Sequence, residues 1–496
     1  MTSTYVTVAI PYVNAEPHLG YAYELVLADI HARGRRETAS GRVRLLGGTD
    51  DYSLKNVLAA EAVGAPIQVF VNENAARFAA LGEPLELSFD DFIRTSADPR
   101  HIPAVQRLWR AVDASGDLYR RTYEADYCVG CEQFYSQGDL VEGCCPEHRT
   151  PTERVAEENW FFRLSCYQEL LDELISSGAL IVDPEPFRNE ILAFVRAGLE
   201  DISVSRSAAR ARGWGVPVPG DPEQVVYVWF DALANYISAL DYGKPASGQY
   251  RRWWVESDER IHVIGKGILR FHAVFWPAFL TSAAEPLPTR IQVHPYLTVD
   301  GAKLSKSAGA KLDPAKLATT YGSDALRWWF ARDVHPTIDT DFTLERLVQR
   351  ANEDLAGGIG NLVNRIVTLL HRFRDGAVPS PDEAPLPVAA RLCERVLDAI
   401  AEFDLRLAAQ HVIHAVAELN RDLEATEPWK VGHHPHQTGE FDRLLARHLR
   451  TAQEIAKALA PVLPDLSRRL CDQLEIYDGK LPAASPIFAR IELGAT

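Results

Sequence analysis

The first fifty residues restrict the fold more than any other stretch. Thr4-Tyr5-Val6-Thr7-Val8-Ala9-Ile10 is a short apolar run, rich in β-branched residues and stopped by Pro11. That pattern predicts a strand buried on both faces of a parallel sheet. After a loop from Tyr12 to Pro17, a turn Pro17-His18-Leu19-Gly20 opens a segment, Gly20 to Glu37, with Leu25, Val26, Ala28 and Ile30 at helical spacing. Arg42 to Leu46 predicts a second strand, ending at Gly47-Gly48-Thr49-Asp50-Asp51. Strand, helix and strand in succession predict a doubly wound α/β domain that binds its ligand at the strand C-termini.

A chain of 496 residues exceeds one ordinary core, so two to four domains are expected. Residues 1–114 read as the first half of a Rossmann-like catalytic domain. Residues 115–225 break the rhythm and read as an insertion. Val225 to Tyr236 and Arg260 to Phe279 return to strand-then-helix patterns, so 226–344 reads as the second half, where the sheet resumes. From about residue 345 the pattern turns helical, with Leu355, Ile359, Leu362, Val363 and Ile366 ahead of a break at Pro379, Pro381, Pro385 and Pro387. Residues 345–496 therefore read as an α-helical bundle. The net charge of −16 argues against a generally basic nucleic-acid binder. Local clusters at Arg33/Arg35/Arg36 and Arg206/Arg210/Arg212 read either as phosphate-binding faces or as solvated surface. No run of about 18 apolar residues predicts a membrane span, and the N-terminus lacks a signal-peptide pattern. A cytoplasmic location is expected.

Four of the seven cysteines crowd into one stretch. Cys128-Val129-Gly130-Cys131 and Cys145-Pro146-Glu147-His148 form C-x2-C and C-x2-H turns thirteen residues apart. Each turn points two ligands at one centre, and the pair closes a tetrahedral Zn2+ site. Cys128, Cys131, Cys145 and His148 leave no open position, so the metal is expected to be structural, with Cys144 a bystander.

Two further motifs carry chemistry. His18, at a helix start, can donate to phosphate oxygens with help from backbone N–H groups and the helix dipole. Gly20 lets a base approach the backbone closely. Far downstream, Lys303-Leu304-Ser305-Lys306-Ser307 lies between Gly301 and Gly309, a small loop with glycine on both sides and two cations. One ATP held between these motifs would have its phosphates gripped from both sides, as displacement of pyrophosphate requires.

From about residue 4 to residue 493 the chain resembles the methionyl-tRNA synthetases, members of the class I aminoacyl-tRNA synthetases. The resemblance rests on Ala9-Ile10-Pro11-Tyr12-Val13-Asn14, Tyr127-Cys128-Val129-Gly130-Cys131-Glu132, Asp201-Ile202-Ser203-Val204-Ser205-Arg206, Val226-Tyr227-Val228-Trp229-Phe230-Asp231-Ala232-Leu233 and Ile264-Gly265-Lys266 on to Phe271-His272. It implies a Rossmann-like catalytic domain, a zinc-bearing insertion and a helical anticodon-binding domain. It also implies ATP with Mg2+, an amino acid and tRNA as partners. Ile10, Tyr12, Trp229, Ala232, Leu233, Tyr236, Ile268 and His272 match the methionine pocket. Asp50 matches the carboxylate that holds the substrate ammonium, and Arg206 its arginine partner. ATP is implied to meet His18, Gly20, Tyr21, Gly265, Lys266 and Lys306, with His18, Lys303 and Lys306 taking part in catalysis. Asn361, Asn364, Arg365 and Trp429 look like the anticodon-reading surface, where a tryptophan stacks on an unstacked base.

Departures from the family pattern gather around the same centre. Tyr21 stands where a second histidine is usual, Asp51-Tyr52-Ser53 where Glu-His-Gly is usual, Gly267 where an aspartate is usual, and Ala310 in place of an asparagine. Three readings follow: a tRNA ligase for methionine; a paralogue activating another amino acid for a small amine or hydroxylamine; and a non-catalytic RNA-binding relative. The intact lysine loop favours the first two. Lys306→Ala is expected to slow adenylate formation by about a hundredfold or more, the effect of losing one preorganised charge; a near-normal rate of pyrophosphate exchange would remove the loop from the mechanism.

Overall fold

The structure is a computed structural model. It describes residues 3–38, 42–128, 133–135, 137–146, 149–244, 246–299, 302–303, 312–379, 383–431 and 438–494. The chain divides into two compact units. The first comprises Met1–Ala28, Gly41–Leu81 and Ser88–Pro295; the second comprises Asp29–Ser40, Gly82–Leu87 and Tyr296–Thr496.

The first unit is built on six parallel strands: β1 (Ser3–Val8), β2 (Arg42–Thr49), β3 (Asp91–Arg94), β4 (Ile181–Asp183), β5 (Glu259–Gly265) and β6 (Arg290–His294). Their spatial order is β3-β2-β1-β5-β6-β4. The order reverses between β1 and β5, so a crevice opens outside their carboxyl ends, where open α/β sheets bind ligands. The strand predicted to end at Leu46 runs on through both glycines to Thr49. A Cβ at Gly48 would stand 2.5 Å from the Ile93 carbonyl oxygen, and one at Gly47 2.8 Å from the Phe89 ring. These glycines mark close approach of neighbouring chain, not the end of a strand.

Residues 115–225 hold two antiparallel sheets. One has Gln133–Tyr135, Leu118–Cys128, Glu153–Phe162 and Ile202–Ser203 in that spatial order; the other has Pro217–Val218, Asp221–Val226 and Ser205–Ser207. The same stretch lends β4 to the edge of the central sheet, between helices Gln168–Ser176 and Glu185–Arg196. A three-residue strand carries too little pattern to be read. Val225 does not resume the parallel sheet: Gln224, Val225 and Val226 pair antiparallel with Ser207, Arg206 and Ser205. A short apolar run looks the same in either kind of sheet, and the parallel sheet resumes only at β5.

The second unit is mainly helical over Leu344–Arg374, Leu392–Ala401, Leu405–Thr426, Thr438–Ala458 and Pro464–Leu474. Leu355, Ile359, Leu362, Val363 and Ile366 are all buried, as their spacing predicted. Left-handed residues end two of the helices, Asp375 after Arg374 and Glu427 after Thr426. At the centre of this unit lies a fully buried arginine. Arg327 donates to Asp29 Oδ2 (2.8 Å) and to the carbonyls of Val462 (2.8 Å) and Leu85 (2.9 Å). Asp29, equally enclosed, also accepts from Arg33 at 2.8 Å. Arg327→Ala leaves a buried carboxylate short of a partner and carbonyls without donors. It is expected to destabilise this unit by about 3–5 kcal/mol in urea unfolding, and Arg327→Lys, which lacks the planar fork, should not restore it.

Candidate active site

The helix Leu19–Thr38 begins directly after His18. The Tyr21 N–H meets both the His18 carbonyl (3.0 Å) and its Nδ1 (3.1 Å). With Nδ1 an acceptor, the ring proton of a neutral His18 sits on Nε2, making an exposed donor beside a helix N-terminus. A Cβ at Gly20 would lie 3.2 Å from that Nδ1, so glycine lets the ring fold over the turn. Tyr21 contributes its backbone here and not its ring. The ring is buried against Phe78 at 5.4 Å, its hydroxyl is directed at the Gly48 carbonyl (3.4 Å), and burial pushes its pKa up.

An aromatic slot lies across the same strand ends. Tyr12 is 6.3 Å from Trp229, which stacks on Phe271 at 3.5 Å with ring planes 9° apart. Ala232, Leu233 and Tyr236 are buried on the two short helices that follow Tyr227. The Trp229 Nε1 is buried without a partner among the described residues. Tyr236 Oη lies 2.7 Å from His272 Nε2, while His272 Nδ1 lies 3.0 Å from the Ile268 carbonyl. A carbonyl only accepts, so Nδ1 carries the proton and the tyrosine donates to Nε2. Burial holds His272 neutral, lowering its pKa from the ordinary 6.5 to about 4.

Asp50 adjoins this slot through a parallel bridge to Tyr12, and its N–H donates to the Pro11 carbonyl at 2.9 Å. The side chain is buried, with Oδ1 accepting from the Tyr52 N–H at 3.2 Å. The following Asp51 is held by Thr49, Arg94 and Ser96 at 2.9, 3.0 and 2.6 Å. Asn56 ties down both carbonyls of the Asp50-Asp51 turn. Arg206 is buried between Tyr127 and Tyr227, donating to Tyr127 Oη at 2.7 Å. Tyr52 packs 5.3 Å from Trp214 and is pushed up to about 12 by burial and by the charges of Asp231 and Asp51.

Glu24 escaped the sequence reading. This buried carboxylate accepts from the N–H groups of Ala9 (2.9 Å) and Gly265 and faces His294 Nε2 at 3.0 Å. Its signal was a lone acidic residue on the apolar face of a helix. Lys266 and Ile268 follow Gly265 in one short turn, with Gly267 exposed between them. Lys55, also unread, places its ammonium 4.9 Å from the Tyr12 ring centre.

In the insertion, Cys128 and Cys145 are buried in one cluster with Tyr135 against it. Cys131 and His148 lie outside the described residues, as does Lys306. Lys303 is described as backbone only, paired with Thr298 in a short hairpin. In the helical unit Asn361 is exposed, and the Asn364 Oδ1 is buried without a partner among the described residues. Arg365 donates to Asn420 at 3.2 Å and lies 6.0 Å from the ring centre of the half-buried Trp429. Asn420 was not foreseen.

Holding His272 neutral has a consequence for stability. The unfolded chain takes up this proton near pH 6.5 and the folded chain only near pH 4, so stability falls as pH drops through that window. Urea unfolding at pH 7, 5.5 and 4.5 should show the first unit losing stability, with a shallower loss in His272→Gln; an unchanged slope in that variant would contradict the assignment.

Comparison with known proteins places this geometry. The family model for class I tRNA synthetases (M) matches residues 4–157 and 148–367. A methionine–tRNA ligase from Thermotoga maritima is 38% identical over 94% of this chain and 74% of its own length. One from Brucella suis is 37% identical over 98% and 97%. The solved Mycobacterium tuberculosis methionyl-tRNA synthetase, in complex with methionyl-adenylate, superposes with a TM-score of 0.93 at 36% identity, over 99% of this chain and all of that one. With a parallel sheet split between β1 and β5, His18 at its crevice and an aromatic slot beside a buried aspartate, this chain belongs to the class I tRNA synthetases of the methionyl type.

Proposed function

We propose that this enzyme activates methionine with ATP, releasing pyrophosphate, and transfers the methionyl group to tRNA. The observation that carries the reading is the slot of Tyr12, Trp229 and Phe271, with the neutral Tyr236–His272 pair on its wall and the buried Asp50 bridged to Tyr12. An ammonium suits Asp50, with Arg206 in the role the resemblance gives it. An unbranched thioether suits an aromatic and aliphatic slot walled by Ile10, Ala232, Leu233 and Ile268. The methionyl-adenylate bound by the Mycobacterium tuberculosis relative supports this assignment.

In the first step a carboxylate oxygen of the amino acid attacks the α-phosphorus of ATP, and the bond to pyrophosphate breaks. The Nε2–H of His18 and the helix N-terminus supply donors to phosphate oxygens. Gly20 and Gly265 admit the nucleoside to the backbone, with Lys266 beside it. Lys303 and Lys306 keep the charge-stabilising role read from their loop, and ATP enters with Mg2+. In the second step a ribose hydroxyl of tRNA attacks the acyl carbon and AMP leaves. Asn361, Asn364, Arg365 and Trp429 are assigned the anticodon. Cys128 and Cys145, two buried thiols in one cluster, fit a structural Zn2+ completed by Cys131 and His148, which would brace the insertion. The functional division runs 1–114, 115–225, 226–344 and 345–496. No single described helix is long and apolar enough to cross a membrane, in keeping with a cytoplasmic ligase.

Tyr52 and Gly267 carry a second reading, activation of a different amino acid for a small acceptor. Pyrophosphate exchange with each amino acid, followed by charging of tRNA, separates the two. Methionine is expected to support both reactions. Trp429→Ala should weaken charging about tenfold, the loss of one stacked base, with exchange unchanged. Exchange with another amino acid and none with methionine would replace the first reading by the second, and no exchange at all would leave an RNA-binding relative. Equal loss of both activities in Trp429→Ala would make that residue structural.

A further inference from the structure

Behind the slot lies a buried polar layer that none of the assigned roles uses. His262 sits in the middle of β5, opposite Thr7 of β1, and is fully buried. Its Nδ1 is 2.6 Å from Thr7 Oγ1, and its Nε2 accepts from the Trp276 indole N–H at 3.2 Å. An indole nitrogen only donates, so Nε2 carries no proton and Nδ1–H must donate to the threonine. The imidazole is thus neutral and locked in one tautomer, and burial holds its pKa well below the ordinary 6.5.

This locked ring forms a plate under Tyr236. The two rings stack with centroids 4.1 Å apart and planes 29° apart. Tyr5, two residues before Thr7 and therefore on the same sheet face, donates its hydroxyl to the Tyr236 carbonyl at 2.8 Å. Tyr236 is held at its backbone by Tyr5, at its ring face by His262 and at its hydroxyl by His272. A valine or leucine at 262 would fill a strand interior without needing partners. Enclosing Thr7, His262 and the Trp276 N–H instead carries a desolvation penalty, offset only because every nitrogen is bonded. Such a network fixes orientation where aliphatic packing would allow the phenol to swing.

We propose that His262 is a positioning residue for the amino-acid pocket, setting the plane of Tyr236 and, through it, the Tyr236–His272 hydrogen bond that faces the substrate side chain. The inference rests on the reading of this slot as the amino-acid site.

The test combines kinetics with a measurement independent of activity. In methionine-dependent pyrophosphate exchange, Thr7→Val removes one hydrogen bond with little change of shape and should raise the KM for methionine about fivefold. His262→Phe keeps the stack but loses both bonds and should raise it tenfold or more. In both, the KM for ATP is expected to stay within about twofold, with thermal unfolding confirming a folded protein. His262→Asn, whose amide nitrogen can replace Nδ1, should recover part of the loss. Should His262→Phe fail to fold, Thr7→Val carries the kinetic arm. A parallel rise in both KM values, or no change in a folded variant, overturns the proposal. In 15N-imidazole spectra of the unaltered protein, His262 should remain the Nδ1–H tautomer from pH 8 to 5; titration near 6.5, or the opposite tautomer, also overturns it. Absence of exchange with every amino acid in the unaltered protein would overturn the functional reading and with it the pocket role of His262, whereas normal exchange with unshifted methionine KM in the folded variants would overturn the positioning claim alone.

Discussion

Where β1 and β5 end side by side, backbone N–H groups at both strand ends need an acceptor beyond the ladder, the Ala9 N–H keeping only a 3.2 Å bond to the Val263 carbonyl. Glu24 meets that need from the first turns of the following helix. One carboxylate takes the Ala9 N–H and the Gly265 N–H, and reaches His294 at the end of β6. His294 is fixed in turn, its Nδ1 lying 2.8 Å from the Pro295 carbonyl. Since a carbonyl only accepts, Nδ1 must donate, and a second proton must lie between Nε2 and Glu24. Three strand ends and the helix that carries His18 are therefore joined at one buried group. Without it the Ala9 and Gly265 N–H groups would lose their buried side-chain acceptor beside the crevice.

Much of the site uses the same device, with polar groups enclosed and hydrogen-bonded so that geometry is rigid, the Trp229 indole N–H excepted among the described residues. Asp51 is anchored by three side chains, which holds the turn and so the neighbouring Asp50. Arg206 is held between two tyrosines, one of them adjacent to the buried Cys128 of the insertion. On the far wall of the aromatic slot His272 is kept uncharged by burial, with a second neutral histidine, His262, beneath Tyr236, so the Tyr236–His272 pair offers a directed hydrogen bond in place of a charge. The departures from the family pattern take on physical meaning in this setting. Tyr21 fills core space against Phe78, whereas Tyr52 packs on Trp214 and Gly267 is exposed.

Much of this was legible in the chain. The β-branched run before Pro11 announced a buried strand, the His18 turn a helix start, and the apolar spacing from Leu355 to Ile366 a helical unit. What escaped followed physical rules as well. Gly47 and Gly48 read as a strand end because glycine usually breaks strands, yet here they admit Ile93 and Phe89 at short range. The strand Ile181–Asp183 is too short for any periodicity. Val225 and Val226 pair antiparallel because apolar content says nothing about strand direction. Glu24 and Asn420 carry no motif and matter only through residues distant in sequence, while Asn56 carries none and acts on the turn five and six residues before it.

Alone, then, the sequence determined the strand, helix and strand that open the sheet, the helical character of the C-terminal stretch, the spacing of the cysteine turns, and which residue types could bind phosphates or a thioether, because these depend on local periodicity and side-chain chemistry. Tertiary structure decided which nitrogen of His262 carries the proton, what the Tyr21 ring packs against, and which strand ends Glu24 joins. Those outcomes depend on what each group is buried against. The His262 ring takes its one tautomer because Thr7 of the neighbouring strand and Trp276 of a later helix arrive beside it.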